Sequence, residues 1–145
     1  MPPETGVVAI AHAIQLAVAP VFLLSGIGAI LAVTTNRLSR VIDRARALES
    51  RLATDPVDAT QLRDEIGILS RRAKLVSRAI ALCTVTALLI CATIAVLFSS
   101  AFLNLDASRA IALLFIAAMI AFFIGLLYFL REIFVAIRSL RIGHR

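Results

Sequence analysis

The chain has 145 residues, a net charge of +6, 61% hydrophobic residues and a mean hydropathy of +0.97. A soluble domain this small has too much surface for its volume to hide so much apolar side chain, and the apolar residues fall into long blocks for which lipid is the natural solvent. A sequence pI near 11.0 raises nucleic acid as a partner, but the basic residues cluster on the connecting segments, where membrane proteins carry them, so no nucleic acid is expected.

The opening "MPPETG" carries Glu4 and no Lys or Arg. It lacks the positive n-region of a signal peptide, so the first apolar block, residues 7–35, is expected to remain as a membrane helix. His12 and Gln15 are the strongly polar residues of its outer half. With Ala19, Gly26 and Arg37 they fall on one side of a helix at near-heptad steps. Polar groups in lipid are costly and turn toward protein or water. Two readings fit this side: a pore or ligand lining, or a helix–helix seam in which small residues allow close approach. Pro20 removes a backbone donor, and "SGIGA" (25–29) follows it. Pro20, Gly26 and Gly28 are therefore candidates for a gating hinge, or for the ordinary packing role of Pro and Gly in membrane helices. The Gly-x-Gly is no dinucleotide fingerprint, because no strand precedes it.

The helical pattern does not stop at the end of the first block. "ILAVTTNRLSRVIDRARALE" (30–49) passes from hydrocarbon to a basic helix with no Gly or Pro between them. Leu38, Val41, Ala45, Leu48 and Leu52 recur at alternating three- and four-residue steps. After "TDPVD", Leu62, Ile66, Leu69, Ala73, Val76 and Ile80 do the same. This heptad pattern predicts an antiparallel helical hairpin over 36–78, whose arms extend the first and second spans. Pro56 ends the first arm, and Asp58 and Gln61 stand as a capping box that restarts the second. An unbroken helix from Glu4 to Ala53 would be about 75 Å long. Its apolar stripe can leave the membrane because the returning arm covers it.

Arg37, Arg40 and Arg44 lie at the start of that basic arm and are candidates for binding anionic lipid or another anionic ligand. Part of the arm's charge can be self-paired, since Asp43 lies three residues from both Arg40 and Arg46. The second span is expected over 79–98 and the third over 110–130, joined by "SSAFLNLDASR", in which Asp106 can cap the third helix. Cys83 and Cys91 are eight residues apart on one helix, about 12 Å along its axis, too far to bridge. Ser77, Thr84 and Cys91, and Ala110, Ala117, Ala121 and Gly125, form small-residue tracks that predict helix–helix contacts and, as a hypothesis, homo-oligomerisation. The tail, 131–145, is expected to form a short helix whose apolar stripe is Leu130, Ile133, Phe134, Ile137 and Leu140.

Ten Lys and Arg residues lie between the first two spans, none before the first, and Arg109 alone in the next connection. The positive-inside rule places the N-terminus outside, and the hairpin and C-terminus in the cytoplasm. The fold expected is all-α: three transmembrane helices in one integral membrane domain, a cytoplasmic hairpin and a short cytoplasmic C-terminal helix. No metal-spaced cluster, carboxylate pair in the spans, phosphate loop or activated nucleophile is present, so neither enzyme activity nor a cofactor is expected.

The run "AIQLAVAPVFLLSGIGAILAVTTNRLSRVIDRARALE" (13–49) resembles the signature block of a bacterial family of small membrane proteins, domain of unknown function 2721, through Gln15, Pro20, the "SGIGA" glycines and "NRLSRVIDR". The resemblance implies the three-span layout in a bacterial inner membrane and brings no substrate, reaction or cofactor. The leading expectation for function is a homo-oligomer with channel-like or transport-related activity. The rival is a membrane adaptor or regulatory protein whose basic hairpin recruits a cytoplasmic partner or anionic lipid.

Overall fold

The computed structural model describes residues 3–54 and 56–142, with the side chains at 3, 5, 56 and 139–142 outside that description. Three long helices carry the described chain: α1 (Pro3–Thr54), α2 (Ala59–Leu103) and α3 (Ser108–Ile142), with a single 3-10 turn, Pro56–Asp58, between the first two. All three are long and apolar enough to cross a membrane. The expectation of a separate C-terminal helix is corrected: α3 runs through Leu130 without a break, so the tail is the end of the third span's own helix. No Gly or Pro interrupts 126–142, and nothing in that stretch stops helical propagation. The tail residue Arg145 lies outside the described residues, as do the side chains of Leu140 and Arg141.

The helices divide into two compact units, 1–30 with 82–123, and 31–81 with 124–145. In the first unit the buried side chains include Ala13, Ala17, Ile27, Cys83, Ile90 and Ala118, together with Thr86 and Thr93. Each threonine hydroxyl donates to the carbonyl four residues back, Thr86 to Leu82 and Thr93 to Leu89, both at 2.8 Å. Their polarity is thus spent within the helix.

In the second unit Val41 and Leu48 of α1 meet Leu69 of α2, with Ala45, Leu62, Ile66 and Ala73 packed around them. Wherever this seam is in water, each of the larger side chains contributes about 1.5–3 kcal/mol of burial. Val76, Ala79 and Thr34 are also buried in this unit.

The helix ends are built by recognisable chemistry. Asn104 follows α2 in the left-handed region, φ 51°, a conformation that Asn tolerates better than most residues. The Leu105 N–H then donates to the Ser100 carbonyl at 3.2 Å, the long bond of a Schellman stop. Asp106 restarts the chain: its Oδ1 accepts from the Ser108 amide at 3.2 Å and from the Ser108 hydroxyl at 2.6 Å. The Ile111 amide donates to the Ala107 carbonyl at 3.0 Å, so Ala107 is the N-cap by backbone and Asp106 acts from one residue further out. These bonds from Ser108 hold the Asp106 carboxyl below the usual carboxylate range.

Candidate functional site

The arginines of the basic arm converge with two residues that sequence reasoning did not single out. Arg37, Arg40 and Arg44 recur at steps of three and four on α1, and so share one face. With Val41 they meet Leu69 and Arg72 of α2 around an open groove of about 260 Å³. Behind it stands Glu132 of α3, fully buried. Arg72 donates to Glu132 Oε1 through Nη2 at 2.9 Å and Nε at 3.3 Å. Arg37 Nη1 lies 3.4 Å from Oε2, yet Oε2 accepts no hydrogen bond. The contact is an ion pair without a hydrogen bond, so Arg72 is the stronger partner.

Two aromatic contacts brace the cations. The Arg37 guanidinium sits 5.5 Å from the centre of the Phe129 ring, and that of Arg78 lies 5.9 Å from Tyr128. Such contacts contribute about 0.5–1 kcal/mol at exposed sites. Arg37 is thereby oriented by Glu132 and Phe129 together, and Arg72 by its two bonds to the same carboxylate. A carboxylate taken out of water is expensive unless it is paired, and the pairs that Glu132 makes with Arg37 and Arg72 join α1, α2 and α3 within this unit.

The other candidates from the sequence do not gather. Gln15, Gly26 and Gly28 are exposed on the chain and Pro20 is half-buried, with α1 continuing through it. A Cβ added at Gly26 or Gly28 would meet nothing within 4 Å, so neither glycine serves a close approach within this chain. His12 is exposed and lines a second open groove, about 450 Å³, with Ala9, Leu16, Ser100, Asn104 and Asp106 among its walls. The α2 track Ser77, Thr84 and Cys91 faces outward, while Val76, Cys83 and Ile90, one residue earlier, are buried. On α3 the buried positions are Ala118, Gly125 and Glu132, and of the tail stripe Leu130, Phe134 and Ile137 are exposed while Ile133 is half-buried. Among the described residues no group of three His, Cys, Asp or Glu side chains could hold a metal ion.

Three apolar helices of membrane-spanning length define a multi-pass membrane protein. The chain belongs to the protein family of unknown function DUF2721, whose model matches residues 17–142. No curated protein and no solved structure matches it. The matched stretch contains Arg37, Arg40, Arg44, Arg72 and Glu132, and leaves out His12 and Gln15.

Proposed function

We propose that the protein is a non-enzymatic adaptor or regulatory protein of the bacterial inner membrane, whose basic helical arms engage anionic lipid on the cytoplasmic side. The observation that supports this reading is the groove lined by Arg37, Arg40, Arg44 and Arg72. Arginines at the end of an apolar run lie at headgroup depth, where the cytoplasmic leaflet is negative and each basic residue adds about 1 kcal/mol of attraction. The charge count between the spans supports an N-terminus outside and a cytoplasmic C-terminus. The full chain purified from native membranes is expected to carry more anionic lipid than the bulk membrane, with the excess falling as salt rises. A copurified lipid composition equal to the bulk would overturn the reading. Thr60→Cys, at the turn between the arms, is expected to react with an impermeant thiol reagent only after the membrane is opened; labelling in intact spheroplasts would reverse the orientation.

A homo-oligomeric, channel-like assembly is the second reading, and one observation favours it. Gln15, Ser77 and Cys91 are exposed on the single chain, where a neighbouring copy would relieve polar groups of contact with lipid. Ion flux in liposomes that changes with Gln15→Leu would establish it. A strictly monomeric protein in nanodiscs would remove it.

A further inference from the structure

We propose that the groove between α1 and α2 is a specific site for the phosphate group of an anionic lipid headgroup, with Arg40 and Arg44 as the ligand's own contacts and Arg37 and Arg72 as a pre-set rear wall. The inference rests on the reading that the basic arms engage anionic lipid, and goes further by naming one site and its ligand chemistry.

Charge gives the first argument. Four guanidinium groups line the groove and one carboxylate, Glu132, stands against them. The excess is positive and calls for an anion. Glu132 cannot neutralise Arg40 or Arg44 as well, because its two oxygens already face Arg72 and Arg37.

Geometry gives the second. A guanidinium carries five N–H donors, and Arg72 gives Nε and Nη2 to Glu132. It can therefore hold the carboxylate and an oxyanion together. Glu132 and Phe129 orient the two rear arginines before any ligand arrives, so part of the ordering cost of binding is already met. Arg40 and Arg44 are exposed and line the same groove, Arg44 also bordering a second open groove that holds Asp58 and Glu65, and both can close on a headgroup. Planar guanidinium forks suit phosphate oxygens better than ammonium groups do, and no Lys lines this groove.

Surroundings give the third. Val41 and Leu69 form the apolar part of the lining, and their low polarity strengthens charge pairing at the site. The first of the arginines lies two residues beyond Thr35, where the apolar block ends. A ligand with a phosphate at that depth and an acyl chain toward the hydrocarbon fits both features, so the lipid is favoured over free phosphate.

The test uses the full chain in nanodiscs. Phosphatidylglycerol is titrated into phosphatidylcholine discs and bound lipid is read by native mass spectrometry, with inorganic phosphate titrated separately into neutral discs. The variant R40Q/R44Q alters exposed residues only, and hydrogen-exchange protection of the amide of Leu69, buried in the same unit, verifies its fold. It is expected to lose more than tenfold in retained phosphatidylglycerol, while R63Q/R71Q, with the same charge change at exposed positions outside the groove, loses less than threefold. Phosphate binding in neutral discs that R40Q/R44Q abolishes would show the same site reading the oxyanion alone; its absence beside phosphatidylglycerol retention would assign the site to the lipid. Equal losses in the two variants would overturn the site and leave the broader reading of the arms intact. No preference of the wild-type chain for phosphatidylglycerol would overturn both.

Discussion

Removing Arg72 and removing Arg37 are expected to have unequal costs, although both cations pair with the same carboxylate. Arg72→Ala deletes the two hydrogen bonds to Glu132 Oε1, at 2.9 and 3.3 Å. It leaves a fully buried carboxylate facing only a cation 3.4 Å away with no hydrogen bond between them. Breaking a buried pair from one side costs about 3–5 kcal/mol. The Arg72 side chain is 19% exposed, which places the cost near the lower bound, about 3 kcal/mol. Arg37 is 34% exposed; its ion pair is worth about 1 kcal/mol or less, and its place over Phe129 adds about 0.5 kcal/mol. The gap, about 1.5–2 kcal/mol, is a factor of roughly 10–30 in the unfolding equilibrium. Unfolding by SDS in mixed micelles, followed by reaction of the buried Cys83 thiol in a Cys91→Ser background, measures both variants on one scale. A double replacement, R72L/E132L, should recover most of the loss, because no buried charge is then left alone. An Arg37→Ala cost equal to or above that of Arg72→Ala would refute the reasoning, and would mean that Oε2 carries the pairing.

Three further outcomes follow from the helix ends and the paired arms. Asn104→Gly should leave stability nearly unchanged, whereas Asn104→Val should lose about 1–2 kcal/mol in the same assay, because a branched side chain resists a φ of 51°. The Asp106 carboxyl is held below its ordinary range by Ser108, so its stabilisation of the turn is complete at neutral pH. It fades as pH falls through the lowered value; the protection factor of the Ser108 amide in hydrogen exchange should drop there, and Asp106→Asn should remove that pH dependence. Leu69→Ala, in the seam with Val41 and Leu48, should cost about 2–4 kcal/mol, while Ile68→Ala, one residue away and exposed, should cost less than about 1 kcal/mol.

The seam between the arms was legible because a 3.5-residue repeat has one geometric meaning wherever it occurs. Val41, Leu48 and Leu69, with Ala45, Leu62, Ile66 and Ala73 around them, are positions the spacing selects. Inside the apolar blocks the same pattern cannot be read by hydrophobicity, since every face there is apolar. The buried residues of α1 continue the arm's register backwards through Thr34, Ile27, Ala17 and Ala13. The polar residues His12 and Gln15 drew attention to a neighbouring face. On α2 the small-residue track misses the buried one by a single position, about 100° around the helix. Small size marks a face that permits close approach, and says nothing about whether the partner is in this chain or outside it.

Glu132 is the residue that pattern reading passed over, and its signal was present. It is the only acidic residue after Asp106, in a stretch otherwise apolar or basic. It also falls seven and fourteen residues beyond Gly125 and Ala118, both buried. A tail stripe drawn through Leu130, Phe134 and Ile137 follows hydrophobicity, which is a sound guide only where water is the solvent on the other side. Near a bilayer the apolar face of α3 has lipid as a partner and gains little from turning inward. The carboxylate has no such alternative: buried away from water it must find cations, and Arg37 and Arg72 are where it finds them. In this part of α3 the inward face is therefore chosen by charge rather than by apolar area. The same pairing holds Arg37 and Arg72 in place and leaves Arg40 and Arg44 exposed along the groove.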